Sequence, residues 1–215
     1  MSRALGWLVV VGLVAGLVMG FGVAPREAAQ GNVQRIMYLH VPSVLVAYLA
    51  FGVVLVASIA YLTTRREAAD RIGHASAEVG VLFTGITIAS GAIWGKPTWG
   101  TWWTWDARLT SVAVLFVMYL GYLLVRGMVD DRERAARYSA VVGIVAALDV
   151  PLVHFSVYWW RTLHQPPTML KPGPSTMPGL FAATLMVNLA AFALVYVYLV
   201  TKRVRLLRRE EEALA

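Results

Sequence analysis

The chain has 215 residues, of which 59% are hydrophobic and only 14% charged, with a mean hydropathy of +0.64. A water-soluble domain of this size cannot hide so much apolar surface, so composition excludes that class and points to a polytopic membrane protein. The net charge of +7 and pI of about 10.0 do not signal nucleic acid, because the basic residues cluster between apolar segments and do not interleave with aromatics on a polar platform.

Six stretches carry the roughly 20 apolar residues that a bilayer-crossing helix needs: about 4–24, 42–62, 76–94, 108–126, 139–158 and 179–201. The predicted fold class is therefore all-α, a polytopic membrane protein with six transmembrane helices in a single integral membrane domain over 1–215. The first stretch is longer than the ~7–15-residue core of a signal peptide and reads as a retained span. Its Gly12, Gly16 and Gly20 recur every fourth residue, a pattern that lets helices of the same chain approach closely. Across 25–39, Val33, Ile36, Met37 and His40 fall at helical spacing with Gln34 and Arg35 opposite, which predicts a helix lying in the membrane interface. His40 opens the second span, and Pro42 suits a first helical turn. The charged stretch 63–75 predicts a plain loop in which His74 is solvated.

Residues 94–110, WGKPTWGTWWTWDARLT, hold five of the chain's eight tryptophans: Trp94, Trp99, Trp102, Trp103 and Trp105. Trp99, Trp102 and Trp103 lie three and four apart, so a short helix would present them on one face, with Gly95, Pro97 and Gly100 interrupting the approach to it. Asp106 suits a cap on the fourth helix, with Arg108 in its first turn. The stretch 127–138 predicts a second plain loop. In the fifth span Asp149 sits about ten residues deep, and an intramembrane acid is a functional candidate by default. Its bland reading is a group bonded between helices, to Asn188 or Thr87. Pro151 frees a carbonyl and kinks the span, and His154 follows one turn on, as packing or as a further contact. Residues 159–178 hold Trp159, Trp160, Arg161, His164 and prolines at 166, 167, 172, 174 and 178, which predicts a stiff extended lid. The tail after Thr201 predicts a short helical extension.

Basic residues divide unevenly between the connections. Arg3, Arg65, Arg66, Arg71, Arg126, Arg132, Arg134, Arg137 and the arginine-rich tail fall on one side, and Arg26, Arg35, Lys96, Arg108, Arg161 and Lys171 on the other. The positive-inside rule then puts both termini in the cytoplasm and the tryptophan segment outside. An ordinary aromatic belt decorates both interfaces, whereas here all tryptophans but Trp7 gather on the outer side.

Cysteine is absent, which excludes disulfides, thiolate metal sites and thiol catalysis by this chain. His40 and His164 fall on the same side as the tryptophans. A lone interfacial histidine is usually a snorkelling polar group, and Trp or Arg near a span end is usually an anchor. The coincidence of both imidazoles with the indoles favours a planar cofactor: two neutral imidazoles can clamp haem iron, indole faces can cover a porphyrin, and Arg35, Lys96, Arg108 and Arg161 are candidate partners for its carboxylates.

The tryptophan segment, the stretch RIMYLHVP and the stretch FSVYWWRTLHQ, in this order and on one side of six spans, resemble the CcmC family of cytochrome c maturation system I, part of the haem-handling superfamily (with CcmF and CcsA) named for its Trp-Trp-Asp segment. The resemblance covers nearly the whole chain. It implies that haem b is held by external loops at the outer face of the bacterial cytoplasmic (inner) membrane. Two axial histidines match His40 and His164, and Trp94, Trp99, Trp102, Trp103, Trp105, Asp106 and Arg108 belong to the binding segment. It further implies presentation of haem to the membrane-anchored chaperone CcmE, in a complex with the small peptide CcmD and the ABC transporter subunits CcmA and CcmB. On this reading the chain is not an enzyme: the covalent chemistry occurs on the chaperone, and without a nucleotide-binding loop here ATP hydrolysis belongs to another subunit. Asp149 and His154 stand outside the matching pattern. Three other readings remain: a subunit of a system II cytochrome c synthase, a transporter moving haem or a proton through Asp149, and a structural assembly subunit.

Overall fold

Six helical segments in the computed structural model of the protein are long and apolar enough to cross a membrane: Arg3–Val23, Val33–Thr64, Glu67–Trp99, Ala107–Met128, Arg132–Trp159 and Gly179–Ala213. The structure describes residues 3–166, 171, 173, 174 and 177–214, and no strand occurs among them. The helices are α1 (Arg3–Leu17), which ends in a π-helical turn at Val18–Val23, then α2 (Met37–Thr64), α3 (Glu67–Trp99), α4 (Ala107–Met128), α5 (Arg132–Ala147), α6 (Asp149–Trp159) and α7 (Gly179–Leu214). All six predicted spans are present, and each is longer than or displaced from its apolar run.

The two charged connections predicted as loops are mostly helix. α2 turns into α3 through Arg65, in the left-handed conformation (φ 56°), and extended Arg66. Glu67 and Asp70 then start α3, where carboxylates complement the positive end of a helix. His74 is consequently a helical residue whose Nε2 lies 3.1 Å from Glu78 Oε1, and it is not simply solvated. Between α4 and α5 only Val129–Asp131 stay outside helix, and Asp131 caps α5 by accepting the Arg134 N–H. The interfacial helix predicted over 25–39 is replaced by a single 3-10 turn, Val33–Ile36, that leads directly into α2. In the fifth span Pro151 interrupts the helix at the single residue Leu148, which keeps right-handed helical dihedrals (φ −65°, ψ −23°): proline has no N–H to offer the Ala147 carbonyl, and the hydrogen-bond ladder of α5 stops there. α7 runs 36 residues, about 54 Å at helical rise, so it outlasts a bilayer and includes the predicted tail extension. The lid predicted over 159–178 falls partly outside the described residues, including Pro167 and Pro172; Trp160 is extended, as that reading requires.

Packing centres on α2 and α3. A side chain at Gly80 would put its Cβ 2.5 Å from the Phe51 ring, so only glycine lets α3 lie this close. Phe51 in turn stacks on Tyr119 of α4, ring centroids 3.7 Å apart. Ser76 donates to the Ala50 carbonyl at 2.8 Å and meets the Tyr196 hydroxyl of α7, also at 2.8 Å. α1 lies antiparallel on α7, Gly12 facing Ala191 and Gly16 facing Asn188, so both termini share one end of the bundle. The glycine stripe of the first span thus packs within the chain.

Ion pairs tie the helices together at the terminal end. The two terminal guanidinium nitrogens of Arg126 (α4) donate to the two oxygens of Asp70 (α3) at 2.6 Å, with side chains 12% and 6% exposed. Arg203 of α7 similarly grips Glu78, and Arg71 bonds Glu211. Removing one partner of a buried pair strands a charge and costs about 3–5 kcal/mol, whereas an exposed helical pair is worth under about 1 kcal/mol. Asp70→Ala should therefore destabilise the purified protein in mixed-micelle unfolding by about 3 kcal/mol, while Glu212→Ala, which breaks only the exposed pair with Arg208, changes it by less than about 1 kcal/mol.

Candidate functional site

At the end opposite the termini a cavity opens between α2, α3 and α4, with about 740 Å³ of empty space that includes its opening to solvent. Its walls come from widely separated parts of the chain: Gln30, His40 and Tyr48, then Thr87, Gly91, Trp94 and Trp99 of α3, then Trp103, Arg108, Val153 and His164. His40 lies inside α2, which starts at Met37, so Pro42 falls beyond the first helical turn in which it was expected. The imidazole is buried, its Nδ1 is 3.1 Å from Ser90 Oγ, and its ring meets Trp94 edge-on at 5.8 Å. The Trp94 indole N–H is already spent, donating to Gln30 Oε1 at 2.8 Å.

The tryptophan segment differs from its predicted form. α3 continues through Gly95 and Pro97 to Trp99, and Gly100 (φ 79°) ends it in the left-handed conformation, with its N–H bonding the Lys96 carbonyl. No separate short helix carries Trp99, Trp102 and Trp103 on one face, because the left-handed residue turns the chain out of helix before Trp102. Trp94, Trp99 and Trp103 line the cavity, whereas Trp102 and Trp105 do not and are 57% and 78% exposed.

Asp106 has two jobs. One carboxylate oxygen caps α4 by accepting the Leu109 N–H at 2.9 Å; the other accepts the Leu163 N–H at 3.0 Å. The second bond fastens the residues before His164 to the start of α4. His164 lines the cavity with its ring 5.8 Å from Trp99, and its Nδ1 donates to the Gln165 carbonyl at 2.9 Å, which leaves Nε2 as the lone-pair nitrogen. Burial and the nearby Arg108 guanidinium hold the His164 imidazole down at about 4, so it is neutral at ordinary pH.

The four candidate cations separate clearly. Arg35 reaches back to the Phe21 and Ala24 carbonyls, closing the end of the first span; Lys96 bonds the Gly100 carbonyl; Arg161 is exposed and away from the cavity. Among the described residues Arg108 is the one of the four on the cavity wall, and its Nη1 is buried without a hydrogen-bond partner. Asp149 sits elsewhere, in a groove between α4 and α6 beside Trp105, Thr110 and Trp160. Its expected partners are engaged otherwise: Asn188 bonds the Gly16 and Thr184 carbonyls, and Thr87 bonds the Phe83 carbonyl. One Asp149 carboxylate oxygen is buried with no partner among the described residues. His154 packs edge-on against Tyr48 and Phe155 and is absent from the cavity wall.

Sequence reading missed Gln30, Tyr48, Gln165 and the set Thr87, Ser90, Gly91 and Thr98. With the predicted Trp94, the last four fall at three- and four-residue spacing, a small and polar stripe running along α3 past the first tryptophan of the segment. That periodicity was available in the sequence.

A family model described as "Heme exporter protein C" (CcmC) matches residues 1–215. The chain is 41% identical to a Heme exporter protein C of Bradyrhizobium diazoefficiens, over 99% of this chain and 82% of that protein. It is 36% identical to the Haemophilus influenzae protein of the same name, over 99% and 87%, and 39% identical to that of Escherichia coli K12, over 77% and 71%.

The His164 environment sets a pH signature. A free imidazole takes up its proton near 6.5, and the folded site resists it until about 4. Between these values the unfolded chain binds a proton that the folded one refuses. This group therefore costs folded-state stability as pH falls from about 6.5 to about 4 and costs nothing above that window. In an NMR titration of the ligand-free protein the His164 ring should still be neutral at about pH 5.5; a midpoint at the free value would contradict the burial seen here.

Proposed function

The chain belongs to the CcmC family, and from that premise we propose that it holds haem b at the outer face of the bacterial cytoplasmic membrane and presents it to the haem chaperone CcmE during cytochrome c maturation. The observation that carries this reading is the convergence of His40, from α2, and His164, from the connection after α6, on one indole-lined cavity. Both imidazoles direct their Nδ1 at an oxygen acceptor inside the protein, which suits Nε2 for axial ligation of iron from two sides.

Haem is here the cargo, and the residues suit each part of it. Trp94, Trp99 and Trp103 offer aromatic surface to a flat macrocycle. Arg108 brings a buried guanidinium with an unspent N–H, a suitable partner for a propionate carboxylate through a charge-assisted hydrogen bond. Asp106 acts on the site indirectly, by holding the His164 segment against α4. Trp102 and Trp105 remain exposed at the same end, where they would face an incoming chaperone. The chain supplies position, ligation and a water-poor wall, while covalent attachment takes place on the partner, so it acts without being an enzyme. Both termini then lie in the cytoplasm, in keeping with the arginines at that end, and CcmD, CcmA and CcmB complete the assembly.

Two measurements test this reading. Wild-type protein purified from membranes should show the low-spin absorption spectrum of haem with two imidazole ligands, and the His40→Ala/His164→Ala double variant should lose it; an unchanged spectrum would refute the ligand assignment. Alanine at both Trp102 and Trp103 should leave membrane insertion intact and lower chaperone loading by about tenfold, the usual cost of removing aromatic anchors. Normal loading would count against an aromatic platform.

A further inference from the structure

Directly behind His40, Ser90 and Gly91 form a two-residue seat on α3. The Ser90 hydroxyl has one proton, and it is committed within the helix: Oγ lies 2.6 Å from the Ile86 carbonyl and 3.3 Å from that of Thr87. Toward His40 Nδ1, 3.1 Å away, the same oxygen can therefore only accept. Nδ1 must then carry the imidazole proton, which leaves the lone pair on Nε2. Gly91 makes the approach possible, since a Cβ there would stand 2.9 Å from His40 Cε1. Ser90 is buried and away from the cavity wall, so it does not meet whatever the cavity holds.

We propose that Ser90 is a positioning residue for His40, fixing the imidazole in the Nδ1–H form and aiming Nε2 into the cavity. His164 obtains the same tautomer from the carbonyl of its own neighbour, Gln165, whereas His40 depends on a different helix. His40 is thereby locked to the α2–α3 frame, with the Thr87 carbonyl beside the ring as a further acceptor. The consequence for haem retention rests on the reading given under Proposed function; the tautomer itself does not.

The test has two arms. In ligand-free protein labelled with ¹⁵N-histidine, two-bond proton–nitrogen spectra should show His40 as the Nδ1–H tautomer in wild type and in Ser90→Thr, and as a mixture in Ser90→Ala. A wild-type Nε2–H form, or no change in Ser90→Ala, would overturn the proposal. In haem-loaded protein, transfer to excess apomyoglobin should be about 10–100-fold faster for Ser90→Ala, the usual effect of losing an outer-shell partner, and near wild type for Ser90→Thr. In a His40→Ala background Ser90→Ala should add nothing, and equal acceleration there would show that Ser90 acts on something other than His40. A wild-type chain that binds no haem would defeat the functional reading, while the first arm still decides the role of Ser90.

Discussion

The close approach of α2 and α3 is the constraint on which the rest of the molecule depends. In a bilayer, lipid tails are as apolar as leucine, so helices associate through packing and polar contacts between them, without a hydrophobic drive. Gly80 lets Phe51 lie against α3, Phe51 carries Tyr119 and with it α4, and Ser76 links the Ala50 carbonyl to Tyr196 of α7. The same contact line, followed toward the far end, becomes Gly91 beneath His40 and Ser90 beside it. Structural packing and site construction are thus one seam: the histidine is held as the core is held, by a missing side chain and a serine hydroxyl.

Much of the fold was legible because a hydrocarbon core imposes a length that composition alone reveals. The six apolar runs and the internal glycine stripe of the first span needed no tertiary information. The helix ends did need it. α3 and α5 begin in charged sequence that looks like loop, since their first turns are stabilised by Glu67 and Asp70 in one case and by the Asp131 cap in the other, with ion pairs to neighbouring helices adding support. Pro97, which suggested an interruption, is carried within α3, and Gly100 in the left-handed region is what stops it.

At the site, residue types were legible and their roles less so. Tryptophan, histidine and arginine announced a planar anionic ligand, and His40 and His164 do share a cavity. Which indoles face inward follows from the backbone reversal at Gly100, and spacing cannot foretell it. Arg35 and Arg108 looked equivalent in the sequence. The carbonyls of Phe21 and Ala24, at the π-helical end of the first span, take the two terminal nitrogens of Arg35, whereas Arg108 lies on the cavity wall with an unspent terminal N–H. A buried guanidinium lacking a full set of acceptors is costly, and an anionic guest relieves that cost.

The two hydrogen bonds of Asp106 reach different parts of the chain. One carboxylate both begins a helix and holds Leu163, 57 residues further along the chain. Loss of this one acid would loosen two distant stretches in a single step. The tryptophan-rich stretch and the stretch bearing the second histidine are therefore moored to the same side chain, a single fastening shared across the sequence.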